Sequence, residues 1–304
     1  MQKPSKPLRR GQKKLDDLNL MREFYAEELR AVANIQSEAV VRAFAKVPRE
    51  RFLGPGPWQI VHLWHDLRPS KRYRTTPDAD PRHVYHNVLV AIDPERGLNN
   101  GEPAFLALLI DALGLQEGEH VVHVGCGTGY YTAILAEVVG PNGNVTAVEI
   151  DSELAAHARG NVNYLPQVMI IEGEGGEYDP GPCDAILINA GATHPRPLWL
   201  DVLRLGGRLL LPLTVFKDDN SPQWGQVLKV TRRANGFVAH FISEVGIFPC
   251  HGARDPELNE RLKEAFRAGD SKSVQSLRRE QHEPDNSCWL HSTDFCLSKL
   301  AASE

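Results

Sequence analysis

The chain has 304 residues, room for one large domain or two small ones, and its 42% hydrophobic and 24% charged content excludes a disordered or fibrous protein. A formal net charge of -5 and a pI near 6.2 disfavour nucleic acid as a partner, because phosphate binding needs clustered Lys and Arg. No run approaches the roughly eighteen apolar residues of a membrane span, no apolar segment follows the basic start, and five dispersed cysteines do not form a disulfide framework; a cytoplasmic protein without a membrane partner is expected.

In chain order, "MQKPSKPLRRGQKK" carries Lys3, Lys6, Arg9, Arg10, Lys13 and Lys14 and reads as a basic, flexible tail over 1–17. Over 18–44, Leu20, Phe24, Ala31, Ile35, Ala39 and Phe44 recur at helical spacing. Beyond "VPRERFLGPGPW", the stretch "RPSKRYRTTPDADPRH" is broken by Pro69, Pro77 and Pro81, which predicts an exposed loop. Residues 103–113 read as a helix opened by Pro103 and closed by Gly114.

The rhythm then changes. "HVVHVG", "NVTAVEI", "QVMIIEG", "CDAILINAG" and "GRLLLPLTV" read as strands separated by the helices "YYTAILAEVV", "SELAAHARGNV" and "PLWLDVLRL". "GQVLKVTRR" and "GFVAHFISEVG" suggest a closing antiparallel pair. The predicted fold is α/β, a Rossmann-like, doubly wound, mostly parallel sheet with N-terminal helices and a C-terminal extension. The expected division is a tail over 1–17, a helical and loop region over 18–102, a cofactor-binding core over 103–250 and an extension over 251–304, which holds the amphipathic stretch "PELNERLKEAFRAG".

Within "HVVHVGCGTGYYTA", Gly125, Gly127 and Gly129 alternate between a strand and a helix. A dinucleotide fingerprint spaces its glycines GxGxxG so that a pyrophosphate meets the helix N-terminus. This chain has GxGxG followed by the bulky Tyr130 and Tyr131, a pattern that suits a ligand without phosphates. Glu149 ends the next strand, twenty residues past Gly129, where a carboxylate can accept both ribose hydroxyls. A ribose without a pyrophosphate points to S-adenosyl-L-methionine. Taken singly, the glycines also suit a helix-capping turn, Glu149 a solvated strand end, and Tyr130 and Tyr131 plain core packing.

The phrases "VPRERF", "VYHNVLVAI", "VVHVGCGTGYYTA", "VTAVEIDSEL", "EGEGGE", "CDAILINAGA" and "LRLGGRLLLPLT" together resemble a class I methyltransferase, and more closely the protein L-isoaspartyl O-methyltransferases, over roughly 20–249. The resemblance implies transfer of a methyl group from S-adenosyl-L-methionine to a carboxylate of a protein or peptide. It implies that Gly125, Gly127 and Gly129 face the methionine part of the cofactor, Glu149 the ribose and Glu174 the adenine edge; Ile150 is a further cofactor-binding candidate, and Asn189, which ends the fourth strand, is expected near the methyl group. No NPPY-like phrase follows Asn189, which disfavours methylation of amino groups.

In one place the chain departs from the family. Where the family carries a Thr-Ile-Ser phrase before a proline, this chain reads "GLNNGEP", with Asn99, Asn100 and Gly101 in the loop and no aligned hydroxyl. These three are the candidate acceptor-orienting residues, although Asn beside Gly is also common turn chemistry. His86 and Asn87 stand where the family has a polar segment near substrate, and a loop histidine with a turn residue is the other reading. The alternatives left open are a same-lineage enzyme retargeted to another peptide carboxylate or a small metabolite, and an inactive cofactor-binding module; restoring a hydroxyl at Gly101 is expected to bring no gain of isoaspartyl activity. Cys250, His251, Cys288, His291 and Cys296 lack CxxC knuckles, so no metal site is expected and buried free thiols are.

Overall fold

The computed structural model describes residues 10–61, 73–215 and 223–302, and the chain divides into two compact units at Gly114/Leu115. Among the described residues, no helix is long and apolar enough to cross a membrane.

The first unit opens with helices α1 (Arg10–Ala33) and α2 (Glu38–Lys46). Ser37 caps α2 by accepting from the Val40 amide, and the Asp111 carboxylate accepts from the backbone amides of Gln36 and Ser37, which ties this corner to α3 (Pro103–Leu113). Between the helices lie two small hairpins, β1 (Gln59–Val61) with β2 (Tyr73–Thr75) and β3 (Ala91–Asp93) with β4 (Leu98–Asn99). Three expectations change here. The helix begins at Arg10, so part of the predicted tail is helical, while residues 1–9 lie outside the described residues. Leu20 and Phe24 are 65% and 77% exposed, because the buried stripe of α1 is carried by Tyr25, Ala26 and Leu29 instead. The predicted loop after Pro69 becomes β2 and a 3-10 turn at Pro81–Val84, and its residues up to 72 lie outside the described ones. Helix α3 runs from Pro103 as predicted, and Gly114 closes it at φ 59°, a left-handed cap that glycine adopts without a Cβ clash.

The second unit alternates β5 (His120–Val124), α4 (Tyr130–Val139), β6 (Asn144–Glu149), α5 (Ser152–Asn161), β7 (Val168–Glu172), β8 (Cys183–Ile188), α6 (Pro197–Asp201) and β9 (Leu203–Thr214). Five antiparallel strands and a helix complete it: β10 (Gln223–Arg233), β11 (Gly236–Ile247), α7 (Pro256–Ala268), β12 (Ser276–Arg278), β13 (Cys288–His291) and β14 (Cys296–Ser298). All ten strands form one sheet in the order β13-β14-β12-β11-β10-β9-β8-β5-β6-β7. Strands β7-β6-β5-β8-β9 are parallel and the rest antiparallel, so the expected closing pair grows to five strands. The chain steps outward from β5 in both directions. Right-handed crossovers therefore put the helices of the two arms on opposite faces and leave a switch point between β5 and β8, where ligands of such sheets bind at the carboxyl ends of the strands. Predicted helix "PLWLDVLRL" ends at Asp201, because Leu203 already pairs with Cys183 in the sheet.

The extension is not an appendage. One core runs from Val122 and Val124 through Leu209, Leu211 and Val230 to Leu262, Trp289 and Leu297. Phe241, Phe266 and Trp289 meet with ring centroids 5.1 to 6.1 Å apart, which locks α7 between β11 and β13.

Candidate active site

The second unit gathers most of the predicted cofactor residues at the ends of β5, β6 and β8. Gly125, Gly127 and Gly129 have φ of 76°, 56° and 91°, a left-handed series that only glycine takes repeatedly at low cost. Their turn delivers the Gly127 amide to Glu149 Oε2 at 2.7 Å, and Glu149 Oε1 accepts from the Asp151 amide at 3.1 Å. Glu149 is only 7% exposed, so the two amides hold it in one orientation. Each of its oxygens still has a lone pair, the acceptor pair a ribose diol requires. Ile150 follows at 48% exposure, an uncovered apolar face beside that carboxylate. Just past β8, the Asn189 side-chain Nδ2 donates to the Gly125 carbonyl at 3.4 Å, and a Cβ on Gly125 would lie 3.2 Å from the Asn189 carbonyl oxygen. The glycine loop and the β8 end are thus packed backbone to backbone. These features fit S-adenosyl-L-methionine: a phosphate-free backbone cradle, a fixed carboxylate and an apolar platform.

Glu174 sits in a second tight corner. Its Oε1 accepts from the Gly176 amide at 2.8 Å, and a Cβ on Gly252 (φ 77°) would fall 2.2 Å from its carboxyl carbon. Gly252 belongs to the segment after β11 that wraps the end of β8. There the Cys250 amide donates to the Gly191 carbonyl, Arg196 donates to the Gly252 carbonyl, and the Asp255 amide donates to Thr193. Gly252 and Arg196 shape this corner and were not singled out from sequence, because they lie 56 and more positions apart and no local phrase joins them. Burial pushes the Cys250 thiol up to about 12, with the Glu174 carboxylate adding to the shift, and burial likewise pushes the Cys126 thiol up, so neither serves as a thiolate nucleophile. Tyr130 and Tyr131 are buried with ring centroids 5.0 Å apart, which assigns both to packing.

In the first unit the "VPRERF" phrase acquires a structural job. Arg49 is fully buried and donates to the carbonyls of Val84, His86 and Val88 and to Asn100 Oδ1 at 2.9 Å. The neighbouring Glu50 carboxylate accepts from the Tyr85 hydroxyl. One guanidinium therefore fastens three carbonyls of the 84–88 backbone to the Asn99–Gly101 loop. Asn99 Oδ1 accepts from the Gly101 amide at 2.9 Å in an Asx turn, with Gly101 at φ 78°. Asn100 Oδ1 is held by Arg49, while its buried Nδ2 finds no hydrogen-bond partner among the described residues. Asn87 accepts from the Ala104 amide and donates to Glu102, which caps α3. His86 is exposed, and with Ile60, Arg74, His83 and Val88 it lines a cavity of about 340 Å³.

A profile of the family described as protein-L-isoaspartate(D-aspartate) O-methyltransferase matches residues 66–245. Protein-L-isoaspartate O-methyltransferase 1 of Archaeoglobus fulgidus is 32% identical over 242 residues, covering 78% of this chain and 95% of that protein. The chain belongs to the protein-L-isoaspartate O-methyltransferase family. Among solved structures, a protein-L-isoaspartate O-methyltransferase shares the fold with a TM-score of 0.62 at 23% identity, covering 81% of this chain and 69% of that one. A Plasmodium falciparum protein assigned to the same activity, in complex with S-adenosyl-L-homocysteine, has a TM-score of 0.55 at 19% identity, covering 75% and 97%. The chain carries the glycine turn with Glu149, and an Asn99–Gly101 turn clamped by Arg49.

Proposed function

We propose that the chain esterifies the free carboxylate of isoaspartyl residues in proteins or peptides, using S-adenosyl-L-methionine. The observation that carries this reading is the Glu149 carboxylate, buried and fixed by the Gly127 amide at the carboxyl ends of parallel strands, in a chain of this family. The cofactor supplies, when bound, an electrophilic methyl group on a sulfonium.

The protein's own work is positioning. Glu149 accepts the ribose hydroxyls, Ile150 covers an apolar ring face, Glu174 accepts at the adenine edge, and Gly125, Gly127, Gly129 and Asn189 shape the wall beside the methionine part. An isoaspartyl carboxyl is ionised at neutral pH and needs no general base. The rate is set by holding one of its oxygens in line with the methyl group and away from water. The Asn99–Gly101 turn, held by Arg49 on Asn100 Oδ1 and by the Asn99 Asx bond, is the candidate for orienting the acceptor.

Membership of the family disfavours both retargeting and loss of catalysis. The test is site localisation: an aged protein rich in isoaspartate is incubated with methyl-labelled cofactor, digested and sequenced by mass spectrometry. The ester is expected at isoaspartyl positions. Esters confined to glutamyl or ordinary aspartyl side chains would refute the proposal.

A further inference from the structure

We propose that His282, Cys288, His291 and Cys296 hold a structural zinc ion that fastens the C-terminal part of the sheet. One ligand atom from each of the four lies within 4.8 Å of every other. Tetrahedral zinc with sulfur at about 2.3 Å and nitrogen at about 2.0 to 2.1 Å separates its ligand atoms by about 3.3 to 3.8 Å. Here His282 Nε2 is 3.4 Å from Cys288 Sγ, and Cys288 Sγ is 3.9 Å from His291 Nδ1. Strands β13 and β14 pair His291 with Cys296, which brings the fourth ligand to the same point. All the cysteines are free thiols.

The surroundings of the four side chains also suit a metal. A carbonyl can only accept, so the 3.0 Å contact of His282 Nδ1 with the Glu280 carbonyl fixes the proton on Nδ1 and leaves the Nε2 lone pair facing Cys288. Carbonyl-bound imidazoles of this kind are the usual support of a metal ligand. The Asp285 amide approaches Cys288 Sγ at 3.4 Å, a donor suited to a thiolate. Asp285 Oδ1 lies 3.7 Å from the same sulfur, but its oxygen is already engaged by the amide and hydroxyl of Ser287. Two thiolates and two imidazoles select zinc over oxygen-seeking cations, and four protein ligands leave no open position for catalysis. What the ion would hold is clear from the fold. His282 is on the connection between β12 and β13, and the hairpin β13–β14 forms the outer edge of the sheet, anchored to α7 by Arg261 on the His291 carbonyl and Trp289 on the Gly269 carbonyl. The sequence conceals the site because its spacing alternates His and Cys without a CxxC pair, and His282 stands out only once the strands are paired.

The full chain purified under reducing conditions from zinc-supplemented medium is expected to carry stoichiometric zinc by elemental mass spectrometry. Cys296→Ser and His282→Asn should each lower that content at least tenfold, while Cys250→Ser, a buried cysteine outside the cluster, should retain it. Replacement of zinc by cobalt in the wild-type chain should give the ligand-field bands of a tetrahedral site and thiolate-to-cobalt charge transfer, a readout that holds even if a variant fails to fold. A folded, reduced wild-type chain that takes up neither zinc nor cobalt would overturn the proposal. So would a cobalt spectrum without thiolate bands, or zinc retained equally by Cys296→Ser.

Discussion

Glu149 is a carboxylate whose two oxygens are each pinned by one backbone amide, leaving it aimed and half satisfied. Glu149→Gln replaces a charged acceptor with a neutral one and turns an N–H toward the Gly127 or Asp151 amide. It should weaken binding of S-adenosyl-L-methionine by about 1 to 3 kcal/mol, measured by calorimetry; unchanged affinity would remove Glu149 from the site. Asn100 allows a sharper separation, because its two amide atoms do different things. Asn100→Asp keeps an acceptor for buried Arg49, so stability should hold, but it puts a negative charge into the turn proposed to orient an anionic acceptor. The expected result is kcat/KM for the acceptor reduced by roughly tenfold or more with cofactor affinity intact. An Asp variant with full activity would make Asn100 purely a partner of Arg49. At this scale the legible residues were those in local phrases, the three glycines with Glu149 above all. Gly252, Arg196 and His282 were hidden because their neighbours arrive through the fold.

Among the elements, β5 shows how a strand can be read and still hold a surprise. "HVVHV" alternates too weakly to expose one face, and the reason is that β5 sits mid-sheet with both faces covered. His123 in its centre is fully buried, contacts Thr132 Oγ1 at 2.9 Å, and is pushed down to about 3 by burial. Unfolded histidine titrates near 6.5, so between about 3 and 6.5 the unfolded chain binds the extra proton and stability falls as pH drops. The loss attributable to His123 is about 2 kcal/mol by pH 5, and it fades to near zero above about pH 7.5. Denaturant titrations should therefore show a steeper loss from pH 6.5 to 5 in the wild type than in His123→Val; parallel losses would contradict it. The long, apolar strands β5, β6, β8 and β9 were legible because each is bounded by a turn signal and a helix. Strands β1 to β4 and β12 to β14 were not, because two to four residues carry too little periodicity and owe their conformation to a pairing partner.

For the whole molecule, the two units divide the tasks that the reading assigns: a sheet whose switch point carries the cofactor cradle, and a helical unit whose buried arginine shapes the Asn99–Gly101 turn. The α/β class, the family and the cofactor were visible in the sequence because they rest on contiguous phrases. The union of the extension with the central core was not, since a sheet edge is completed by chain that is distant in sequence. The central claim is that the acceptor is the isoaspartyl carboxylate. It is tested most directly with two peptides identical except for one aspartyl or isoaspartyl linkage, incubated with the unmodified protein and methyl-labelled S-adenosyl-L-methionine. The account predicts base-labile label on the isoaspartyl peptide and none on its aspartyl twin. A protein that binds the cofactor yet leaves the isoaspartyl peptide unlabelled would contradict it.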